Sequence, residues 1–153
     1  MKLPFLLIAV STLLTAAVGF AAELPAEDDL ARLQETWLTV SLVSDGKILV
    51  DEKTPARPGP VTKLVYEGHA WTIVVGDKTA ATGTFKIVQS KSPKEIDILD
   101  QSGRPDKTKL GIYEIHGDSY RYCLSPAGKP RPTQFVSKKG TGDSLGVSKR
   151  EKP

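Results

Sequence analysis

The chain has 153 residues, with 21 Lys and Arg against 18 Asp and Glu and a formal net charge of +3. This small positive excess excludes general nucleic-acid binding, which needs a concentrated basic face. The single cysteine excludes an internal disulfide, so we expect packing alone to hold the fold.

The N-terminus has the build of a secretory signal peptide. Lys2 precedes an apolar run from Leu3 to about Val18, and small residues and then an acidic patch follow. The run is short for a membrane span, and no basic stop-transfer cluster follows it. We therefore expect cleavage after Gly19 or Ala21. Residues 22–153 are then one domain of a soluble, monomeric protein, which is periplasmic or secreted.

Downstream of the leader, one short helix is followed by patterns typical of strands. Residues 27–34 carry acids in the first turn and two leucines on one helical face. After them come short runs rich in Val, Ile, Thr and aromatics, punctuated by Gly, Pro and Asp. The predicted strands are 36–44, 47–50, 62–67, 70–75, 78–89, 94–100, 108–116, 119–125, 132–137 and 143–150. They indicate an all-β, antiparallel, up-and-down barrel of about 8–10 strands, because closure removes sheet edges.

Two-residue turns at 68–69 and 117–118 predict the register of two hairpins. The apolar cross-strand pairs are Tyr66–Trp71, Leu64–Ile73, Ile115–Tyr120 and Tyr113–Tyr122. The other face of the second hairpin pairs Glu114 with Arg121 and Ile112 with Cys123. A third turn at 76–77 leaves Phe85 and Ile87 on the wrong face, so we expect a bulge at Gly83.

The sequence predicts no enzyme, cofactor or metal. A reactive thiol needs a nearby His, cation or helix N-terminus, whereas Cys123 pairs with Ile112 and is too far from His116, so we interpret it as structural. Two histidines and one cysteine do not form a zinc motif. No nucleophile elbow, Walker loop or dinucleotide fingerprint is present.

Two weaker alternatives place chemistry on strands. Glu95, Asp97 and Asp100 alternate along a strand and are interpreted as its solvated face rather than as cation ligands. An enzyme would require a cleft in which residues such as Glu114, Arg121 and His116 converge. The simpler interpretation of Glu114 and Arg121 is a cross-strand ion pair.

The stretch LARLQETWLTVSLVSDGK resembles the opening of a lipocalin, in which a short helix leads to Gly-x-Trp on the first strand. Here Glu35-Thr36-Trp37 occupies that motif, with Glu35 in place of the glycine. The rest resembles a lipocalin-like family of exported proteins numerous in planctomycete bacteria. The matching segments are LARLQETW, LVYEGHAWTI, GTFKI, SPKEIDI, GIYEIHGDSYRYCLSPAGKPRPTQF and the closing SKRE. This resemblance implies a fold and a location, but no activity.

The resemblance also implies that an arginine from the last strand covers the first-strand tryptophan and closes one barrel end. The corresponding pair is Arg150 and Trp37, with Lys149 as the alternative partner. A solvated basic C-terminus is the other interpretation of these charges.

We derive two function hypotheses. In the first, the barrel carries a small hydrophobic or amphipathic ligand, although the same side chains can fill a narrow barrel. The predicted inward-facing residues are Tyr66, Trp71, Ile73, Phe85, Tyr113 and Tyr122. In the second, a rigid barrel binds an envelope protein or acidic polymer through basic, Pro-rich loops.

The basic residues of the second hypothesis lie in loops 51–61, 101–107 and 126–131. They are Lys53, Arg57, Arg104, Lys107, Lys129 and Arg131. Strand counting places these three loops at one barrel end, opposite the turn at Asp45-Gly46. In lipocalins the open mouth lies beside that turn, so this count assigns the basic loops to the closed end.

Overall fold

The computed structural model describes residues 28–51, 60–101 and 105–152. The predicted leader, residues 1–21, lies outside the described residues, as do Lys53, Arg57 and Arg104. Among the residues described, no helix has the length and apolar character needed to cross a membrane.

The described chain forms one short helix and nine antiparallel strands. The helix α1 (Asp29–Leu33) begins at Asp28, whose carboxylate accepts a hydrogen bond from the Leu30 amide at 3.0 Å. The strands are β1 (Glu35–Ser44), β2 (Lys47–Val50), β3 (Thr62–Glu67), β4 (Ala70–Val75), β5 (Lys78–Val88), β6 (Lys94–Asp100), β7 (Lys109–His116), β8 (Ser119–Leu124) and β9 (Ser144–Arg150). A 3-10 turn, Pro105–Lys107, precedes β7.

The sheet closes on itself because β1 pairs with β9 as well as with β2 and β3. Trp37 pairs with Leu64 on β3 and with Arg150 on β9. Further along β1, Leu42 pairs with β2 on one side and with β9 on the other. Since β9 occupies one edge of β1 throughout, β2 and β3 share the other edge and act as one interrupted strand. The result is a closed antiparallel barrel with eight strand positions, which confirms the predicted fold class.

One predicted strand is wrong. Residues 132–137 form no strand, and the whole segment 125–143 is an irregular connection between β8 and β9, which we call the C-terminal loop. Prolines at 126, 130 and 132 lack amide N–H groups and fix φ, which disfavours a paired strand. The Phe135 ring contacts Arg121 and the Val136 carbonyl accepts from the Cys123 thiol, so this segment lies against the outside of β8.

Both predicted hairpin registers are confirmed, including the pairs Glu114–Arg121 and Ile112–Cys123. The bulge predicted at Gly83 lies earlier, because Val74 pairs with Thr79 and Ile73 pairs with Ala81. Ala80 is the extra residue between these pairs, and it moves the residues that follow it to the opposite face of the sheet. Phe85 is therefore buried, as expected. Gly83 has a different role: a Cβ there would clash with the Leu99 carbonyl oxygen of the neighbouring strand and would lie 2.8 Å from the Trp71 indole nitrogen, so only glycine fits at this position.

The apolar core lies in the half of the barrel next to α1. Its buried residues are Leu33, Trp37, Leu64, Tyr66, Phe85, Ile96, Tyr113, Ile115 and Tyr120. The helix covers this end, and its buried Asp29 carboxylate contacts Lys94 Nζ at 2.5 Å and the Tyr113 hydroxyl at 2.9 Å. We call this the closed end.

The C-terminal loop lies at the opposite end, beside the β1–β2 turn. Asp45 accepts hydrogen bonds from the amides of Gly140 and Gly142, and its own amide donates to the carbonyl of Asp143. The expectation that this loop lies opposite the turn is therefore wrong. The prediction counted β2 and β3 as two separate strands that cross the barrel in opposite directions. In the structure both run antiparallel to β1 along the same edge, so together they cross the barrel once.

Candidate functional site

The closed end is built around Trp37 and Arg150. The indole N–H of Trp37 donates to the Leu33 carbonyl at 2.9 Å, which ties the helix to the first strand. The Arg150 guanidinium lies 4.3 Å from the centroid of the Trp37 ring. Its nitrogens also donate to the Arg32 carbonyl at 2.9 Å and to the Glu35 carboxylate at 2.8 Å. The predicted stacking is present, and it joins the last strand to the helix.

Glu35 occupies a backbone position that favours glycine. Its φ is 95°, in the left-handed region that side chains disfavour. A glycine would adopt this conformation without strain, and the chain turns from helix to strand at this residue. Lys149, the alternative partner for Trp37, is exposed and does not cover the ring.

A small cavity lies inside the barrel. It measures about 90 Å³ and is lined by Leu64, Tyr66, Trp71, Thr72, Ile73, Ile98, Lys109, Tyr120, Tyr122 and Leu124. Ligand pockets usually measure about 300–1,000 Å³. The lumen therefore has room for a small apolar group, and its side chains otherwise fill the barrel.

The structure brings together four of the six residues predicted to bind a ligand: Tyr66, Trp71, Ile73 and Tyr122. Phe85 and Tyr113 do not line this cavity. Tyr113 lies in the core with its hydroxyl on Asp29. Phe85 is also in the core and borders an open depression of about 670 Å³ beside α1.

Sequence reasoning missed several lumen residues. Ile98 and Leu124 share the inward face with Ile96 and Tyr122, so strand alternation alone could have found them. No sequence signal marks Lys109, the charged residue of the cavity wall. It begins β7, where the lumen approaches the end that carries the C-terminal loop.

Burial raises the pKa of every tyrosine hydroxyl in the chain. For Tyr122 burial raises the pKa to about 12. The pKa values of Tyr66 and Tyr120 are also raised, chiefly by burial, and their hydroxyls are 3.1 Å apart. For Tyr113, burial and then the hydrogen bond to Asp29 raise the pKa. None of these phenols is poised for acid–base chemistry near neutral pH.

Arg131 fastens the C-terminal loop to the outside of the barrel. One of its nitrogens donates to the carbonyls of Ile96 and Gly111 at 3.1 and 2.6 Å, and the other contacts Asp97 at 2.7 Å. Glu95 lies 3.7 Å away. These contacts cross two adjacent strands, so Arg131 acts as a structural clamp and not as a free rim cation.

Two further contacts hold the middle of the loop against β8. The Phe135 ring lies under the Arg121 guanidinium, 4.2 Å from ring centroid to carbon. The Cys123 thiol is buried beneath the loop, 3.5 Å from the Val136 carbonyl, and burial raises its pKa. A thiol with a raised pKa is a poor nucleophile, which agrees with the structural interpretation.

The base of the loop is closed by hydrogen bonds. Ser125 Oγ donates to the Asp143 carboxylate at 2.9 Å. The amides of Gly142 and Gly140 donate to Asp45, and they hold the pKa of its carboxyl below the ordinary value. The loop is thus fixed at its base as well as at Arg131.

Within the fixed loop lies a groove of about 440 Å³, a volume typical of ligand sites. Its walls are Ser125, Lys129, Pro130, Arg131, Pro132, Thr133, Gln134, Val136, Lys138, Gly140, Thr141 and Asp143. Lys129 and Lys138 are exposed, and neither lies within ion-pair distance of a carboxylate in the described chain. We call this feature the loop groove.

The predicted basic residues therefore separate into different roles. Lys129 lines the loop groove, whereas Arg131 also borders it but is committed to the barrel wall. Lys107 is exposed in the 3-10 turn and does not line the groove. Lys138 was missed because the predicted basic loop ended at residue 131, where a strand was expected to follow at 132–137.

Three candidate catalytic residues meet on the outer face of the β7–β8 hairpin. Arg121 contacts Glu114 at 2.6 Å, and His116 lies 3.7 Å from the same carboxylate. His116 is largely exposed, and none of the three lines a cavity described above. Across the described residues, no group of three or more His, Cys, Asp or Glu side chains is placed to hold a metal.

The architecture is that of a closed antiparallel β-barrel of lipocalin-like form, with a short helix over one end and a long basic loop at the other. No protein-family model matches the chain, and comparisons with curated proteins and with solved structures also find no significant match.

Proposed function

We propose that this protein is a non-enzymatic binding protein in which the barrel is a rigid scaffold and the loop groove binds an acidic partner in the cell envelope. The observation that carries the proposal is a groove of about 440 Å³ lined by Lys129 and Lys138, which form no ion pair among the described residues and outnumber the single carboxylate of the groove, Asp143. Uncompensated cations at a groove favour anionic ligands and accelerate their association.

The fixed conformation of the loop supports the same proposal. Arg131, Phe135 and Asp143 each anchor a different part of it to the barrel or to its own base. A binding loop that is already ordered does not lose further conformational entropy when a partner binds. The loop therefore has the preorganisation that a binding surface benefits from.

A pull-down from envelope extract tests this function. We expect the double variant Lys129→Glu/Lys138→Glu to lose the captured partner while its thermal unfolding is unchanged. Lys139→Glu is the matched control, since Lys139 is an exposed lysine of the same loop that does not line the groove. If the double variant captures the same partners as the wild type, the proposal is wrong.

A second candidate function places a small hydrophobic or amphipathic ligand in the lumen. Its support is the apolar wall around the 90 Å³ cavity, together with Lys109 at the margin. Because the volume is small, we expect only the apolar end of such a ligand to enter. Native mass spectrometry should then detect a bound molecule that Ile73→Trp, which fills the cavity, abolishes.

We also propose that the chain is exported and belongs to the lipocalin-like family noted above. The leader pattern in residues 1–21 and the segment resemblances support both statements. N-terminal sequencing of protein from the periplasm or medium should find Phe20 or Ala22 as the first residue. A start at Met1 would contradict export with cleavage.

A further inference from the structure

The loop groove combines cations with groups that both donate and accept hydrogen bonds. Thr133 and Gln134 are exposed on its wall, and their side chains make no hydrogen bond within the described chain. An amide offers two donors and an acceptor, and a hydroxyl offers a donor and an acceptor. The groove can therefore satisfy hydroxyl groups as well as a negative charge.

Other polar groups of the groove are already used by the loop. Thr141 Oγ1 donates to the Lys138 carbonyl at 2.8 Å and accepts from the Asp143 amide at 3.1 Å. One carboxylate oxygen of Asp143 accepts from Ser125. The uncommitted side-chain groups are thus Lys129, Lys138, Thr133, Gln134 and the second carboxylate oxygen of Asp143, and Pro130 and Pro132 also line the groove.

This composition differs from what other anionic partners require. A polyanion held by charge alone needs cations but no acceptors. Peptides bind by adding a strand to a sheet edge, by laying a helix in an apolar groove or, when acidic, through clusters of arginines. The irregular loop groove offers no sheet edge and no apolar helix groove, and its single arginine, Arg131, is committed to the barrel wall. The Thr133 hydroxyl and the Gln134 amide can each donate to and accept from the same ligand, which favours a ligand rich in hydroxyl groups.

We propose that the loop groove binds a carboxylated sugar unit of an acidic polysaccharide. Lys129 and Lys138 pair with the carboxylate, Thr133 and Gln134 bond the ring hydroxyls, and the proline rings pack against the apolar face of the sugar. The inference rests on the proposed function, because both place the partner in the same groove.

Titration calorimetry of the mature protein with three probes tests the inference. The probes are trigalacturonate, maltotriose, which has hydroxyls but no charge, and triaspartate, which has charge but no sugar hydroxyls. We expect trigalacturonate to bind about tenfold or more tightly than maltotriose, because charged hydrogen bonds carry this much. It should also bind about fivefold or more tightly than triaspartate, because the hydroxyl groups add neutral hydrogen bonds to Thr133 and Gln134.

Two variants assign the contacts. Lys129→Gln/Lys138→Gln should weaken trigalacturonate about tenfold or more, whereas the matched control Lys139→Gln should leave it unchanged. Gln134→Ala should weaken trigalacturonate but not triaspartate. Unchanged thermal unfolding shows that each variant remains folded.

The outcomes separate the two proposals. If triaspartate binds as tightly as trigalacturonate, or if Gln134→Ala has no effect on the sugar, the sugar inference is wrong and the acidic-partner function stands. If neither anion binds and the pull-down is unaffected by the lysine variants, both are wrong. Equal binding of maltotriose and trigalacturonate overturns the sugar inference, because the lysines would then add nothing to sugar binding, and the pull-down with the lysine variants then decides the acidic-partner function.

Discussion

The central carbon of the Arg150 guanidinium lies 4.3 Å from the centroid of the Trp37 ring, and this contact joins the first and last strands at the closed end. The same side chain donates to the carbonyl of Arg32, at the C-terminal end of the helix. One residue therefore connects three elements that are distant in sequence.

We predict that Arg150→Met destabilises the protein by about 1–3 kcal/mol, because it removes a cation–π contact and a charged hydrogen bond. Chemical denaturation measures the change. Lys149→Met, at the neighbouring exposed position, should stay within about 0.5 kcal/mol of the wild type. Equal effects of the two variants would contradict the closing role of Arg150.

The strained backbone at Glu35 predicts an unusual stabilising substitution. A left-handed conformation costs a non-glycine residue about 1–3 kcal/mol, and the exposed ion pair to Arg150 contributes only about 0.2–1 kcal/mol. Glu35→Gly should therefore be about 1 kcal/mol or more stable than Glu35→Ala, which loses the ion pair but keeps the strain. If the alanine variant is as stable as the glycine variant, position 35 is not strained.

The buried tyrosines predict loss of stability at high pH. Their folded pKa values lie above the ordinary value of 10, at about 12 for Tyr122, because burial disfavours the phenolate. The unfolded chain releases these protons first, so the contribution to stability is complete below pH 10 and is lost as pH rises through the folded values. Ultraviolet absorbance should show phenolate formation coinciding with unfolding. Titration of Tyr122 near pH 10 in the folded protein would contradict this.

The hydrogen bonds accepted by Asp45 predict that the C-terminal loop loosens at low pH. Hydrogen bonds from Gly142 and Gly140 lower its folded pKa below 3.8, so the anchor is present above that pH and is lost as pH falls through the lowered value. Asp45→Ala should remove the anchor at all pH values. Amide hydrogen exchange at Gly140 and Gly142 should then accelerate, while exchange in β7 is unchanged. Unaltered protection at both glycines would show that Asp45 does not hold the loop.

Features set by local turns and parity were predictable from the sequence. Two-residue turns at 68–69 and 117–118 fix register directly, and the mismatch between Trp71 and Phe85 required a bulge somewhere after the turn at 76–77. The alternation of inward-facing and outward-facing residues cannot show which residue is the extra one, so the bulge was predicted at Gly83 although it lies at position 80. The helix was predicted from its acidic first turn and the spacing of its leucines, whereas the contact between Arg150 and Trp37 was predicted only through the lipocalin resemblance.

Features set by contacts between distant residues were not predictable. The role of Arg131 depends on strand carbonyls that no local pattern reveals. Residues 132–137 were predicted to form a strand, yet Phe135 packs on Arg121 outside the barrel. The end at which the loops meet was misassigned because one long strand, β1, pairs with both β2 and β3 on a single edge. The size of the lumen depends on how its side chains pack, which composition does not fix.

The measurement that tests the central claim most directly is native mass spectrometry of the protein purified gently from its own envelope, compared across four forms. We predict a non-covalent adduct in the wild type, in Lys139→Glu and in Ile73→Trp, and its loss in Lys129→Glu/Lys138→Glu. An adduct that survives the double lysine variant but disappears in Ile73→Trp would contradict the loop groove as the binding surface and place the ligand in the lumen.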